Sequence, residues 1–338
     1  MKTTNENTQS GNQPSTSRLS SIGFMAVLCG VVVSGLSTYS IAQAQTATPE
    51  AHMDKSRWVQ IPGELIRPDC VHAVPKGAMV EVADDGQVTG DVTLNGALIA
   101  YYDPCPEKAV ITRPSAGTES AAIPAGNGWV EDSQWGLPLS SSDNIDFMSS
   151  KWTVPSYPLE NGASIYIFNG IEPQGGAWIL QPVLQYGTSR AGGGNYWAIA
   201  SWLVSGEVYA FFSPLETVYP GDSILGYTEM TAASGSTPYW TVMAKDETRG
   251  TYSWIKTHHV SGQHWTWAYA AVLEAYNVTS CSQFPANGKV TFNKATVDHG
   301  FPYYDVESGN GWVGQIFAYG GPSCDFLVIA SEESTLRF

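Results

Sequence analysis

Short β-prone runs, each closed by a turn signal, recur along most of this chain and constrain it to a layered β structure. Residues 78–82 and 92–102 flank Asp84-Asp85-Gly86, and residues 164–168 run into Asn169-Gly170. Residues 208–212 follow Ser205-Gly206, and Pro220-Gly221-Asp222 leads into another run at Ser223-Ile224. Residues 239–244 and 251–255 flank Asp246-Glu247-Thr248-Arg249-Gly250, and runs at 267–276 and 289–292 complete the series. Many strands at short spacing imply an all-β antiparallel sandwich. No long amphipathic helix and no internal repeat stands out. Charged residues are 14% of the chain, against roughly 25% in ordinary soluble domains. This fits a large core carried by strands.

The ends of the pattern divide the chain. Lys2 and Arg18 precede an apolar run at 22–34, and Ala42-Gln43-Ala44 follows as a small-residue cleavage site. The apolar run is short for a membrane span, so residues 1–44 read as a secretory signal peptide and the mature protein as secreted, with no stable membrane association. Residues 45–113 form a first segment, a propeptide or a retained accessory unit. Residues 114–128 (Pro-Ser-Ala-Gly-Thr-Glu-Ser-Ala-Ala-Ile-Pro-Ala-Gly-Asn-Gly) read as a linker, and 129–338 as the sandwich. With Cys29 in the leader, Cys70, Cys105, Cys281 and Cys324 remain. In an exported chain four cysteines suggest two disulfides. Of three connectivities, Cys70–Cys105 with Cys281–Cys324 keeps each bridge within its own half. The expected architecture is therefore a small disulfide-linked N-terminal β segment followed by a sandwich.

The net charge of −15 argues against a nucleic-acid partner. It is compatible with work in acid, where carboxylates lose charge and self-repulsion falls. The chain has no Gly-x-Ser-x-Gly elbow and no His-Glu-x-x-His zinc helix. His258 and His259 are adjacent and would face opposite sides of a strand, and the cysteines lack a Cys-x-x-Cys pair, so neither a metal nor another cofactor is expected.

Two polar residues set in apolar strands remain. In Trp178-Ile179-Leu180-Gln181-Pro182-Val183-Leu184-Gln185 the period of two puts Gln181 on one face with Ile179, Val183 and Gln185. A buried amide without partners costs on the order of 1–3 kcal/mol, so Gln181 is expected to face a cleft. Glu274 carries the one charge of the apolar run at 267–276. A carboxyl in such surroundings can serve as general base and then acid on water, and an amide N–H opposite it can hold an oxyanion. Pairing with a lysine is the structural alternative.

Trp152-Thr153-Val154-Pro155, Phe168-Asn169-Gly170-Ile171-Glu172, Ile179-Leu180-Gln181, Gly221-Asp222-Ser223-Ile224 and Val272-Leu273-Glu274, in that order along the chain, resemble stretches of the glutamic peptidases called eqolisins. Trp152-Thr153-Val154-Pro155 is similar to the family's Phe-Thr-Val-Pro, and Phe168-Asn169-Gly170-Ile171-Glu172 to its Trp-Val-Gly-Ile-Asp. Ile179-Leu180-Gln181 matches its Ile-Leu-Gln, Gly221-Asp222-Ser223-Ile224 its Gly-Asp-Ser-Ile, and Val272-Leu273-Glu274 the end of its Glu-Trp-Ile-Val-Glu. The resemblance spans about residues 151–297. It implies a concanavalin A-like sandwich, a polypeptide substrate, acid endopeptidase activity in a monomer, and a catalytic Gln181/Glu274 dyad. Trp197, Trp202 and Glu172 become candidates for the substrate cleft. The chain departs from the family at Phe168, Glu172 and Ala270, and it keeps only the outer tryptophans, Trp197 and Trp202, of the family's Trp-Tyr-Glu-Trp stretch. Residues 45–113 carry six Lys/Arg and ten Asp/Glu, unlike the basic propeptide of the fungal members. The alternatives are a carbohydrate-binding module using exposed Trp and Tyr, a catalytically inactive relative, or a two-glutamate peptidase pairing Glu172 with Glu274.

Overall fold

The structure, a computed structural model, describes residues 57–338 apart from 84–87, 113–126, 139, 177, 206–207, 232–237, 259–262, 301–304, 308–310 and 318–320. The leader, the Asp84-Asp85-Gly86 turn, His259 and most of the expected linker lie outside the described residues.

The strands follow in order: β1 (Val59–Ile61), β2 (Glu64–Ile66), β3 (Val71–Ala73), β4 (Met79–Val82), β5 (Val88–Leu94), β6 (Ala97–Tyr101), β7 (Val110–Ile111) and β8 (Asn127–Gly136). Next come β9 (Ile145–Thr153), β10 (Ser164–Pro173), β11 (Trp178–Ser189), β12 (Gly192–Ser205), β13 (Tyr209–Phe212), β14 (Glu216–Val218), β15 (Ser223–Thr231) and β16 (Tyr239–Asp246). The last are β17 (Tyr252–His258), β18 (Trp265–Tyr276), β19 (Lys289–His299), β20 (Asp305–Glu307), β21 (Val313–Ile316), β22 (Leu327–Ile329) and β23 (Thr335–Arg337). The all-β class read from the turn spacing is what the chain forms. One run was read too long: residues 92–102 break at Asn95-Gly96, where both φ values are positive (52° and 78°), and fold back as the β5–β6 hairpin. Asn-Gly is the dipeptide that such a turn favours.

Two large sheets face each other. One runs β21-β8-β18-β10-β11-β12-β13-β3, with β14 beside β12. The other runs β22-β23-β19-β9-β15-β16-β17-β4-β5-β6, with β20 beside β19. Between them lie Ile165, Ile167, Leu184, Ile199 and Leu273 of the first sheet, against Trp152, Ile224, Ala244 and Phe292 of the second. Leu180, Leu203 and Ala268 meet Met148, Val242 and Ile255 further along. Polar pins cross the layer. Asn169 donates from Nδ2 to the Gly226 carbonyl (2.9 Å) and Ser201 from Oγ to that of Ser253 (2.8 Å). Gly226 is required there, because a Cβ would run into the Asn169 side chain.

The N-terminal segment is woven into both sheets. β3 pairs in parallel with β13, and β4 in parallel with β17. Disulfides join Cys70 to Cys105 and Cys281 to Cys324, with Cα separations of 5.3 and 5.7 Å. β1, β2 and β7 make a third, three-stranded sheet. Ile61 and Ile66 of that small sheet share an apolar cluster with Tyr166, Phe168, Ile179, Val183, Trp202 and Tyr276. The β10–β11 region is therefore buried on both faces, and every residue of β10 is buried.

Candidate active site

The face of the first sheet that points away from the second sheet carries the polar residues of interest. Gln181 on β11 lies opposite Trp202 on β12. Gly170 of β10 stands beside it, where a Cβ would come 2.7 Å from the Leu180 carbonyl. Glu274 on β18 lies between Tyr166 of β10 and Trp129 of β8. Both side chains are fully buried. The sequence placed each on a strand face and left open what covers them. The structure answers with the β1–β2 hairpin, whose tip is Pro62-Gly63.

The two side chains meet the same peptide unit. Gln181 donates from Nε2 to the Pro62 carbonyl oxygen at 3.0 Å. The Gly63 N–H, on the other end of that amide, is 2.9 Å from each Glu274 carboxylate oxygen. The turn conformation makes this possible. Proline sets φ for the first corner of a type II-like turn, and the second corner needs a positive φ, which Gly63 supplies at 90°. The carbonyl and N–H of the central amide in such a turn are not used inside it, so both point outward.

Sequence reasoning did not single out the groups around Glu274. Tyr276 donates its hydroxyl to Glu274 Oε1 and lies 3.2 Å from the Ile61 carbonyl. The Thr112 hydroxyl is 2.6 Å from the Tyr276 hydroxyl and 3.5 Å from Glu274 Oε1. Burial, and then the Glu274 charge, push the Tyr276 phenol well above its ordinary range and the Tyr166 phenol upward as well. Both hydroxyls therefore stay neutral. The signal for Tyr276 was present, since a residue two positions from Glu274 shares its strand face. Thr112 and Pro62-Gly63 are distant in sequence and had no local signal connecting them to the dyad.

The remaining candidates separate. Trp202 is on the Gln181 side, packed on Phe212 with ring centroids 4.9 Å apart. Trp197 is a correction: it lies in the core between the sheets, against Tyr186 at 5.2 Å, and does not line this face. The two tryptophans are five positions apart on one strand, and an odd spacing reverses the face. Glu172 lies six residues along β10 from Tyr166, and accepts a hydrogen bond from the Tyr269 hydroxyl at 3.0 Å. It is grouped with Asp132, whose carboxyl is raised well above its ordinary value by burial and then by the Glu172 charge. Neighbouring Glu131, on the opposite face of β8, is pushed up to about 9, mainly by burial, against a lowering backbone bond from Leu327. His258 pairs with Glu81 at 2.7 Å, and no grouping of three or more metal-ligating side chains occurs among the described residues. Each of the 12 tryptophans is buried or half-buried. None of them is exposed, whereas Tyr101, Tyr157, Tyr196, Tyr219 and Tyr252 are.

No family model matches the sequence, and no curated protein matches it. Among solved structures, the fold is similar to scytalido-glutamic peptidase crystallised with a peptide-based transition state analog. That match has 16% identity and a TM-score of 0.40, over 62% of this chain and 99% of that one. SCP-B, a member of the eqolisin family in complex with the tripeptide Ala-Ile-His, gives 16% and 0.39, over 64% and 100%. The CBM2 module of the evolved Dit of Lactobacillus casei BL23 phage J-1 gives 13% and 0.27, over 61% and 100%. These are distant likenesses of fold. The chemistry of the site rests on its own geometry.

Proposed function

We propose that this chain is a peptide hydrolase, an exported acid endopeptidase in which Gln181 and Glu274 act on a peptide bond held between them. The observation that carries the reading is the shared amide, with Gln181 on the carbonyl oxygen of Pro62 and Glu274 on the nitrogen of Gly63. A hydrolase needs a donor on the carbonyl oxygen of the bond it breaks and an acid/base group beside the nitrogen. Glu274 as carboxylate takes a proton from water as the water oxygen bonds to the carbonyl carbon. The oxyanion that forms is held by the Gln181 N–H. Glu274 then returns the proton to the nitrogen, the C–N bond breaks, and the products are a carboxyl and an amine. Tyr276 holds Glu274 Oε1 in place through its hydroxyl.

Export is supported by the leader-like N-terminus and by the two disulfides. Work in acid is consistent with the net charge of −15 and with buried carboxyls that favour the protonated state. The test is hydrolysis of an unfolded protein at pH 3–5 by the chain with its hairpin tip opened by Gly63→Pro, and by the same chain carrying Glu274→Gln or Gln181→Ala. Losses of at least 100-fold are expected for each. Equal cleavage by all three would remove the dyad assignment.

A further inference from the structure

We infer that a groove on the outer face of the second sheet, lined by Trp254, Lys256, Lys76 and Glu81, binds an acidic saccharide, a chain of pyranose rings that carry carboxylates. The groove has a volume of about 570 Å³, within the range of ligand sites. It lies on the side of the sandwich opposite Gln181 and Glu274, so the inference goes beyond the peptidase reading and does not depend on it.

Strand alternation builds the floor. Ile255 of β17 belongs to the core between the sheets, whereas Trp254, Lys256 and His258 on the same strand face out. On β4 and β5, Val80 and Val92 are core residues, and Glu81 and Thr93 beside them face out. Lys76 and Gly77, just before β4, and Asn95 of the β5–β6 turn complete the lining. One wall is thus made by the first segment of the chain, laid beside β17. Gly77 has a φ of 77°, and a Cβ there would come 2.5 Å from the Trp254 ring, so bare backbone rests against the indole. The backbone of the floor is already used. The Gly77 N–H donates to the Trp254 carbonyl (3.0 Å), the Lys256 N–H to that of Ala78 (2.9 Å), and β4 pairs with β5. A peptide strand binds through free backbone groups at a sheet edge. The groove has a sheet face for its floor and not an edge, so recognition falls to side chains.

Those side chains suit a sugar that carries a carboxylate. A pyranose has a C–H face that packs on an aromatic ring, and half-buried Trp254 lines the groove. Sugar hydroxyls need donors and acceptors side by side. Glu81 accepts from Thr93 Oγ1 at 2.8 Å and pairs with His258 Nε2 at 2.7 Å, which holds its carboxylate in place. The Asn95 amide supplies both kinds of group. Lys256 sets the charge of the ligand. Its ammonium stands 4.6 Å from the Tyr239 ring centroid and 5.1 Å from that of Trp254, and it meets no carboxylate among the described residues. Lys76 differs, since Glu216 matches its charge and the Tyr252 ring lies 5.4 Å away. A chain of net charge −15 repels anions at long range. A cation left without a carboxylate inside a groove therefore selects where an acidic ligand sits, and a carboxylate at the pyranose edge makes a charge-assisted bond to it.

The probe is a short oligogalacturonate, titrated calorimetrically into the full chain at low salt and about pH 5, where lysine and uronate are both charged. The unmodified chain is expected to bind it, and to bind the neutral galactose oligomer of the same linkage and length about 10-fold more weakly or not at all. Lys256→Met keeps an apolar stem on the rings and removes the charge. It is expected to weaken binding about 10-fold or more. Trp254→Leu removes the stacking ring and is expected to weaken it by a similar factor. Lys289→Met makes the same charge change on β19 of the same sheet, and is expected to leave binding within about 2-fold. Thermal unfolding checks that each variant is folded. No binding by the unmodified chain overturns the inference. Equal binding of the neutral oligomer overturns it, as does binding that Lys256→Met leaves unchanged or weakens no more than Lys289→Met does. Poly-glutamate that binds as tightly as the uronate, and loses as much with Lys256→Met, makes the groove a site for acidic polypeptide and overturns the saccharide. The readout is binding without hydrolysis, so its failure and that of the peptidase reading are separate results.

Discussion

Glu131 offers a direct test of how this fold depends on pH. It is fully buried on β8, between Val130 and Asp132, and burial raises its carboxyl to about 9 from an ordinary 4.5. A group whose folded pKa is raised binds more protons folded than unfolded between those two values. Its contribution is therefore fully present below about pH 4.5 and is lost as pH rises towards about 9. Each pH unit in that window is worth at most about 1.4 kcal/mol per group, an upper limit of about 6 kcal/mol. Relaxation and water entry around buried charges reduce such penalties, so the realised loss is expected at ~2–3 kcal/mol. Glu131→Gln keeps the shape and removes the titration. Urea unfolding at pH 4, 6 and 8 is the assay. The variant is expected to match the unmodified chain within about 1 kcal/mol at pH 4 and to exceed it by ~2–3 kcal/mol at pH 8. Two stability curves that stay parallel across the three pH values would falsify the assignment of a protonated, buried Glu131.

Other perturbations have defined outcomes. Tyr276→Phe removes a hydroxyl donated to Glu274. A hydrogen bond to the ionised carboxylate favours it, so the acid limb of a kcat/KM profile in the opened chain is expected to move up by about one pH unit, and an unchanged profile rejects the positioning role. His72, stacked on Tyr102 at 3.8 Å, is lowered to about 4 by burial and then by the Arg190 charge. Its contribution is present above the ordinary value near 6.5 and is lost as pH falls through about 4, so His72→Gln is expected to flatten an acid-side loss of ~1–2 kcal/mol seen by thermal unfolding. Asn169→Ala leaves the buried Gly226 carbonyl without its side-chain donor and opens a void, with an expected cost of about 2–3 kcal/mol in urea unfolding. Cys281→Ser with Cys324→Ser opens a bridge across 43 residues and is expected to cost about 2–4 kcal/mol.

The strand-rich class was legible because turn dipeptides and apolar runs are local signals. Gln181 and Glu274 were legible for a related reason. A polar residue in an apolar strand needs a partner wherever the strand goes, and period two tells which neighbours share its face. The same rule, applied to the spacing of Trp197 and Trp202, separates them onto opposite faces. The Asn95-Gly96 turn was present in sequence, and a long apolar run obscured it.

The sequence by itself determined strands, turns, face membership and the supply of cysteines, all of which depend on residues close along the chain. Only the tertiary structure decided that Pro62-Gly63 lies against residues more than a hundred positions away, that Thr112 and Tyr276 join it, and that the first segment is shared between the β1–β2 hairpin and strands of the main sheets. A proline-glycine turn has the same local sequence wherever its outward amide points. What it meets is set by non-local sheet pairing and by a disulfide that closes the loop behind it, and neither has a local sequence signature.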